Sequence, residues 1–196
     1  MNYFFQLENI MNRVEVRKDL ELVRALNLPD SCIAAGYVRN RVWDVLHGYD
    51  HETPLNDIDV IYYDPSDISE ERDILLTQLL NTADKKDYWS VKNQARMHLR
   101  NHVEPYNSTN DAMSCWPETA TAVGVYLDKL DHMRIIAPYG LDDLFQLKVR
   151  QSSRYGDTTY FMKRVADKEW LTCWPNLTLV DLMIHTKWYD HCPSSC

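Results

Sequence analysis

The sequence predicts an α+β fold: a small mixed β-sheet with helices packed against it. Three observations carry this. The apolar periodicity switches along the chain between the 3.6 spacing of helices and the alternation or short apolar runs of strands. The composition, 45% hydrophobic and 26% charged over 196 residues, is that of a globular chain long enough for one ordinary domain. No repeat or low-complexity linker divides it. The expected organisation is a single domain over 1–196, with N-terminal helices in 1–30, a core in about 31–150 and a C-terminal extension in 151–196.

Phe4, Leu7, Ile10, Met11 and Val14 recur at helical spacing, and a second helix follows with Leu22, Val23 and Leu26 on one face. It stops at "NLPD", because Pro29 restricts Leu28. "SCIAAG" is a short apolar strand ending at Gly36. In "YVRNRVWDVLHG", Val38, Val42, Val45 and Leu46 form a helical stripe that Gly48 can close. The polar loop "YDHETPLN" leads into "DIDVIYY", whose short apolar core suits a mostly buried strand.

"DPSDISEERDILLTQLLN" reads as a helix, with Asp67 and Glu70 as a capping box and Leu75, Leu76, Leu79 and Leu80 as its core face. "YWSVKNQARMHL" alternates, with Val91, Asn93, Ala95 and Met97 on one side and Lys92, Gln94, Arg96 and His98 on the other, and so reads as a strand. On that reading His98 and His102, four apart, cannot share a metal, because one lies on a strand. "TATAVGVYLD" and "HMRIIAP" read as a hairpin, and "GLDDLFQLKV" as a helix start with Asp142 and Asp143 as caps. The remainder reads as helix and loop.

The net charge of −8 and pI near 5.3 argue against sequence-independent binding to duplex nucleic acid, which needs clustered Lys and Arg. No stretch approaches the roughly 20 apolar residues that span a bilayer. The start "MNYFFQLENIMNR" lacks the features of a secretion signal, so a soluble cytoplasmic protein is expected. The cysteines are scattered, with no CxxC pair, and indicate neither a disulfide framework nor a zinc knot. The tail "HCPSSC" offers His191, Cys192 and Cys196 as metal ligands or is a frayed end.

Chemistry concentrates at "NDIDVIYY". Asp57 and Asp59 stand two apart at a strand's start, where side chains share a face. Two carboxylates side by side repel. Either a solvated strand end or a divalent cation compensates them, and Mg²⁺, which prefers oxygen ligands, suits the pair. Upstream, the strand–Gly–helix unit at Gly36 offers helix N-terminal N–H groups suited to a triphosphate. Arg39, one turn on, can take a phosphate bidentately or form a surface salt bridge.

The ordered pattern of Gly36, a helix, then Asp57-Ile-Asp59 resembles the DNA polymerase β-like nucleotidyltransferase superfamily. The stretches "AAGYVRNRVWDVLHG", "TPLNDIDVIYYD", "VKNQARMH", "WPETATAVGV" and "APYGLDDLF" resemble, more narrowly, an uncharacterised bacterial nucleotidyltransferase group over roughly residues 31–180. The resemblance implies a nucleotidyltransferase-like fold, catalytic and metal-binding roles for Asp57 and Asp59 with Mg²⁺ as cofactor, and nucleotide-binding roles for Gly36, Arg39, Asn40 and Asn93. It implies an NTP as substrate and transfer of its NMP to an acceptor hydroxyl that the sequence does not name. Two features depart from the superfamily. Tyr37 follows the glycine where a small residue is usual, and the step to Asp57 is long. More seriously, the strand expected to carry a third carboxylate offers Asn93 and Gln94; Glu118 or Asp128 are the candidate substitutes. That loss removes the natural general base and leaves open a catalytically silent regulator that binds a nucleotide or a partner.

Overall fold

The computed structural model describes residues 2–85 and 88–180. Helices α1 (Tyr3–Met11) and α2 (Val14–Ala25) lead into strand β1 (Cys32–Ala34), helix α3 (Gly36–His47) and strand β2 (Ile58–Tyr62). Helix α4 (Glu70–Asp84) crosses to β3 (Trp89–Asn93), which is followed by α5 (Gln94–Asn101) and α6 (Thr109–Ser114). Then come β4 (Gly124–Leu127), β5 (Met133–Ile136), α7 (Asp142–Phe145), β6 (Lys148–Arg150), α8 (Thr158–Asp167), α9 (Trp170–Cys173) and β7 (Thr178–Val180).

The five-stranded sheet has the order β3-β2-β1-β4-β5, parallel between β2 and β3 and antiparallel elsewhere. The expected mixed sheet is therefore present, and the expected hairpin is β4–β5. The β4–β5 hairpin pairs with β1, and β3 lies on the far edge beside β2, as a crossover through α4 requires of a parallel neighbour. A second, two-stranded parallel sheet joins β6 to β7.

Alternation divides the sheet's faces. Ile33, Val60, Val91 and Val125 point into the main core, with Leu7 and Met11 of α1, Leu20 and Val23 of α2, and Val38, Val42 and Trp43 of α3. On the opposite face Cys32, Ala34 and Ile61 pack with Met113 and Ala122 in a smaller cluster. Asp59 belongs to this second face, flanked across the sheet by Ser90 on one side and by Ala34 and then Gly124 on the other. These neighbours are small. A Cβ on Gly124 would stand 2.6 Å from the Cys32 sulfur, so packing fixes that glycine.

Several local expectations give way. The strand at 88–99 ends at Asn93, whose side chain accepts from the Ala95 N–H as the N-cap of α5; the alternating pattern continued into a helix. His98 thus lies on a helix, where its Nδ1 contacts the Ala95 carbonyl; among the described residues no group of three or more His, Cys, Asp or Glu is placed to hold a metal. In α4 only Leu80 of the expected face is fully buried. Leu76 is partly buried, Leu75 and Leu79 are half exposed, and the buried Asp73 binds Tyr62, Asn93 and Arg96. Asp67 does not cap α4: it accepts from Ser69 in the preceding turn. Asp143 pairs with Arg150 and Thr119. Phe4, Val14, Val45 and Leu46 are exposed. The residues of "HCPSSC", and with them the end of the proposed C-terminal extension, lie outside the described residues. No described helix is long and apolar enough to cross a membrane.

Candidate functional site

The turn from β1 into α3 builds one wall of the site. Ala35 adopts φ +59°, ψ −125°, a conformation that non-glycine residues avoid, and its amide donates to the Val123 carbonyl. The turn starts α3 next to Ala34, the cross-strand partner of Asp59, and the first N–H groups of a helix have no partner within it. Gly36 itself needs no glycine for the protein's sake: a Cβ there would meet Arg39 and Leu55 at ordinary contact, 3.6 Å. Arg39, Leu55 and Asn40 surround that position at ordinary contact distance.

A cleft of about 400 Å³ opens over this face of the sheet, lined by Ala35, Asp59 and Ile61 at its floor. Lys92, Gln94, Met97 and Arg100 of the β3–α5 segment form one side. Trp116, Glu118 and Thr121 from the loop before β4 form another, and Tyr155, Tyr160 and Arg164 close it from the C-terminal segment. In the sequence Glu118 is marked only as a candidate substitute carboxylate, and nothing marks Thr121, Lys92 or Tyr160 as site residues. These residues converge from four distant segments, and no local pattern marks them.

Asp59 is partly buried, and its carboxyl is raised to about 6, first by burial and then by the charge of Asp57, against the opposing pull of Arg164, Arg39 and Lys168. Asp57, one residue before β2, is exposed. The two carboxylates are thus close enough for the charge of Asp57 to be felt at Asp59. Their oxygens are the hard donors that a divalent cation takes, so the residues fit Mg²⁺. Glu118 lines the same cleft but is committed: it is 1% exposed, and its Oε1 accepts from Arg164 Nε at 2.7 Å. Its Oε2 is buried without a partner. Asp128 is not a substitute carboxylate. It sits in the β4–β5 turn, accepting from Leu130, His132 and Arg134.

Arg39 is neither a surface salt bridge nor open to the cleft. It is buried behind the wall, its guanidinium carbon 4.5 Å from the Trp170 ring and 5.1 Å from that of Trp43. Nη1 donates to Thr121 Oγ1 and Nη2 to Asn40 Oδ1. Burial lowers its pKa to about 10, which leaves it charged at neutral pH. Asn40 is likewise buried beside it, and Trp43 is core. Asn93 is not in the cleft at all: its amide accepts from Asp64 and Ala95 and donates to the Asp64 and Asp67 carbonyls, which uses its full capacity for structure.

The mixed sheet, the helix N-terminus facing it and the Asp-x-Asp at the strand mouth define a nucleotidyltransferase-type domain. A nucleotidyltransferase family profile matches residues 21–179, and the chain belongs to that family. Among solved structures, an NMR structure reported to reveal a CCA-adding enzyme head domain is 36% identical, with TM-score 0.77, covering 89% of this chain and 94% of that one. The Thermotoga maritima CCA-adding enzyme complexed with tRNA is 13% identical with TM-score 0.53, and a tRNA-processing enzyme with CTP is 17% identical with TM-score 0.50; these share the fold. The chain spans 42% and 43% of their lengths. No curated protein matches the sequence.

Proposed function

We propose that this protein is a Mg²⁺-dependent nucleotidyltransferase that moves a nucleoside monophosphate from an NTP to an acceptor hydroxyl and releases pyrophosphate. The observation that supports it is the placement of Asp59 in a cleft that Ala35, the N-cap of α3, also lines, with the charge of Asp57 acting on it. The 36% identical CCA-adding enzyme head domain supports the same reading.

Asp57 and Asp59 would hold the cation, which when bound supplies charge neutralisation at the attacking and leaving oxygens. The N–H groups at Gly36 and Tyr37 receive the triphosphate, as helix N-termini receive anions. Lys92, Arg100 and Arg164 add positive charge around the cleft, and Arg39 adds its charge from behind the wall. Tyr155 and Tyr160, with ring centroids 6.0 Å apart, offer an apolar side to the bound nucleotide. Catalysis in such a site is mainly positioning and charge stabilisation.

One observation favours a second reading, a catalytically silent nucleotide- or partner-binding regulator. Asp57 and Asp59 are joined by no third acidic group in a metal-binding cluster among the described residues, and Glu118 is tied to Arg164. Calorimetric titration of NTPs with and without Mg²⁺ tests the enzyme: absence of Mg²⁺-dependent binding at millimolar NTP overturns it. Incubation with α-labelled NTPs and a cell extract separates the two readings. Transfer of label to any acceptor supports the enzyme, and binding without transfer supports the regulator.

A further inference from the structure

The buried Arg39 raises a question of what a charged group, sealed behind a cleft wall, acts on. Its Nη1 lies 2.9 Å from Thr121 Oγ1, and Thr121 lines the cleft with Asp59 and Ala35. A hydroxyl has one hydrogen to donate and two lone pairs to accept with. Arg39 has no acceptor of its own, so in this contact the threonine accepts and its hydrogen stays free. Thr121 is 3% exposed, and its hydroxyl donates to no described residue. A buried donor without a partner is costly, and the cleft that Thr121 lines is where a ligand could supply one. Ala35, the N-cap of α3, lines the same cleft.

We propose that Thr121 is an anion-binding residue of the cleft. Its hydroxyl, oriented and polarised by Arg39, donates to a phosphate oxygen of the bound polyphosphate beside the α3 N-terminus. Arg39 is then a positioning residue that reaches the ligand through Thr121 and not by direct contact. Trp170 and Trp43 hold the guanidinium in place from its flanks. This rests on the reading of the cleft as a nucleotide site but extends it to a residue on a different segment.

Inorganic tripolyphosphate without metal is the probe, titrated calorimetrically into the full chain. Thr121→Val removes the hydroxyl at constant shape, and Thr121→Ser keeps it. The expected result is about tenfold weaker binding for Thr121→Val, the loss of one hydrogen bond to a charged group, with Thr121→Ser within about threefold of wild type. Arg39→Met should weaken binding in the wild type yet add little in the Thr121→Val background, because the two act as a unit. Thermal melts identify any variant that fails to fold, and Thr121→Ser retains the acceptor that Arg39 needs. Wild-type affinity in Thr121→Val, or equal losses in the Val and Ser variants, overturns the role of Thr121 while leaving the nucleotide site intact. Additive losses for Arg39 and Thr121 overturn the indirect role of Arg39. A wild type that does not bind tripolyphosphate at millimolar concentration overturns the inference; whether the nucleotide reading also fails is decided by the Mg²⁺-NTP titration.

Discussion

Arg164 Nε lies 2.7 Å from Glu118 Oε1, and this contact ties α8 to the loop before β4 across the mouth of the cleft. Glu118 is 1% exposed, whereas Arg164 is more accessible. Removing one partner of such a pair leaves a buried charge uncompensated, which costs more than the pair contributes while intact. Arg164→Met is therefore expected to destabilise the fold by about 3 kcal/mol. The double variant Glu118→Met with Arg164→Met should recover most of that loss. Urea unfolding checks both, and a single variant within about 0.5 kcal/mol of wild type, the range of ordinary surface changes, would show the contact to be incidental.

The strained turn at Ala35 gives a second prediction. Its φ of +59° with ψ −125° suits glycine, and the strain is worth about 1 kcal/mol or more. Ala35→Gly should raise stability by about that amount, despite the general cost of glycine in the unfolded state. Ala35→Val should lower it. Melting temperatures that move in the opposite order would contradict the assigned backbone strain.

Asp59 makes stability depend on pH in a defined direction. Its carboxyl titrates near 6 in the folded chain, raised by burial and by Asp57, and near the ordinary value of about 3.9 when unfolded. Between these values the folded state binds the extra proton, so stability falls as pH rises from about 4 to 6 and stays lower above it. Asp59→Asn should therefore stabilise the metal-free protein at pH 8, by on the order of 2 kcal/mol. That gain should vanish by pH 4. A variant equally or less stable than wild type at pH 8 would mean that the carboxylate makes structural hydrogen bonds instead.

Much of this architecture is legible in the sequence, and the exceptions have physical causes. The apolar run after Asp59 is legible because Val60 and Tyr62 bury in the main core and Ile61 in the smaller cluster, and the α3 stripe because Val38 and Val42 bury in the main core. The β3–α5 junction misleads, because residues 91–98 alternate and also fit a helical turn; only the cap at Asn93 decides between them. Leu75 and Leu79 mislead because α4 buries Asp73 and Leu80 instead, with Asp73 satisfied by three partners. At the site, Asp57, Asp59 and Gly36 stand out by type and spacing. Glu118, Thr121 and Arg164 do not, since only the fold brings them to the cleft. The positive φ falls on Ala35, and an alanine announces no such conformation.

The central claim is that Asp57 and Asp59 form a metal-dependent nucleotide site. Thermal melts of wild type and of Asp57→Asn/Asp59→Asn, each with and without Mg²⁺ and NTP, test it most directly. Wild type should be stabilised only when both ligands are present, by about 2.7 kcal/mol at a hundredfold excess over Kd. The double variant should be as stable as wild type or more so without ligand, and indifferent to Mg²⁺-NTP. A wild type that ignores the ligands, beside a variant that melts lower in their absence, would show the two carboxylates to be structural and would contradict the claim.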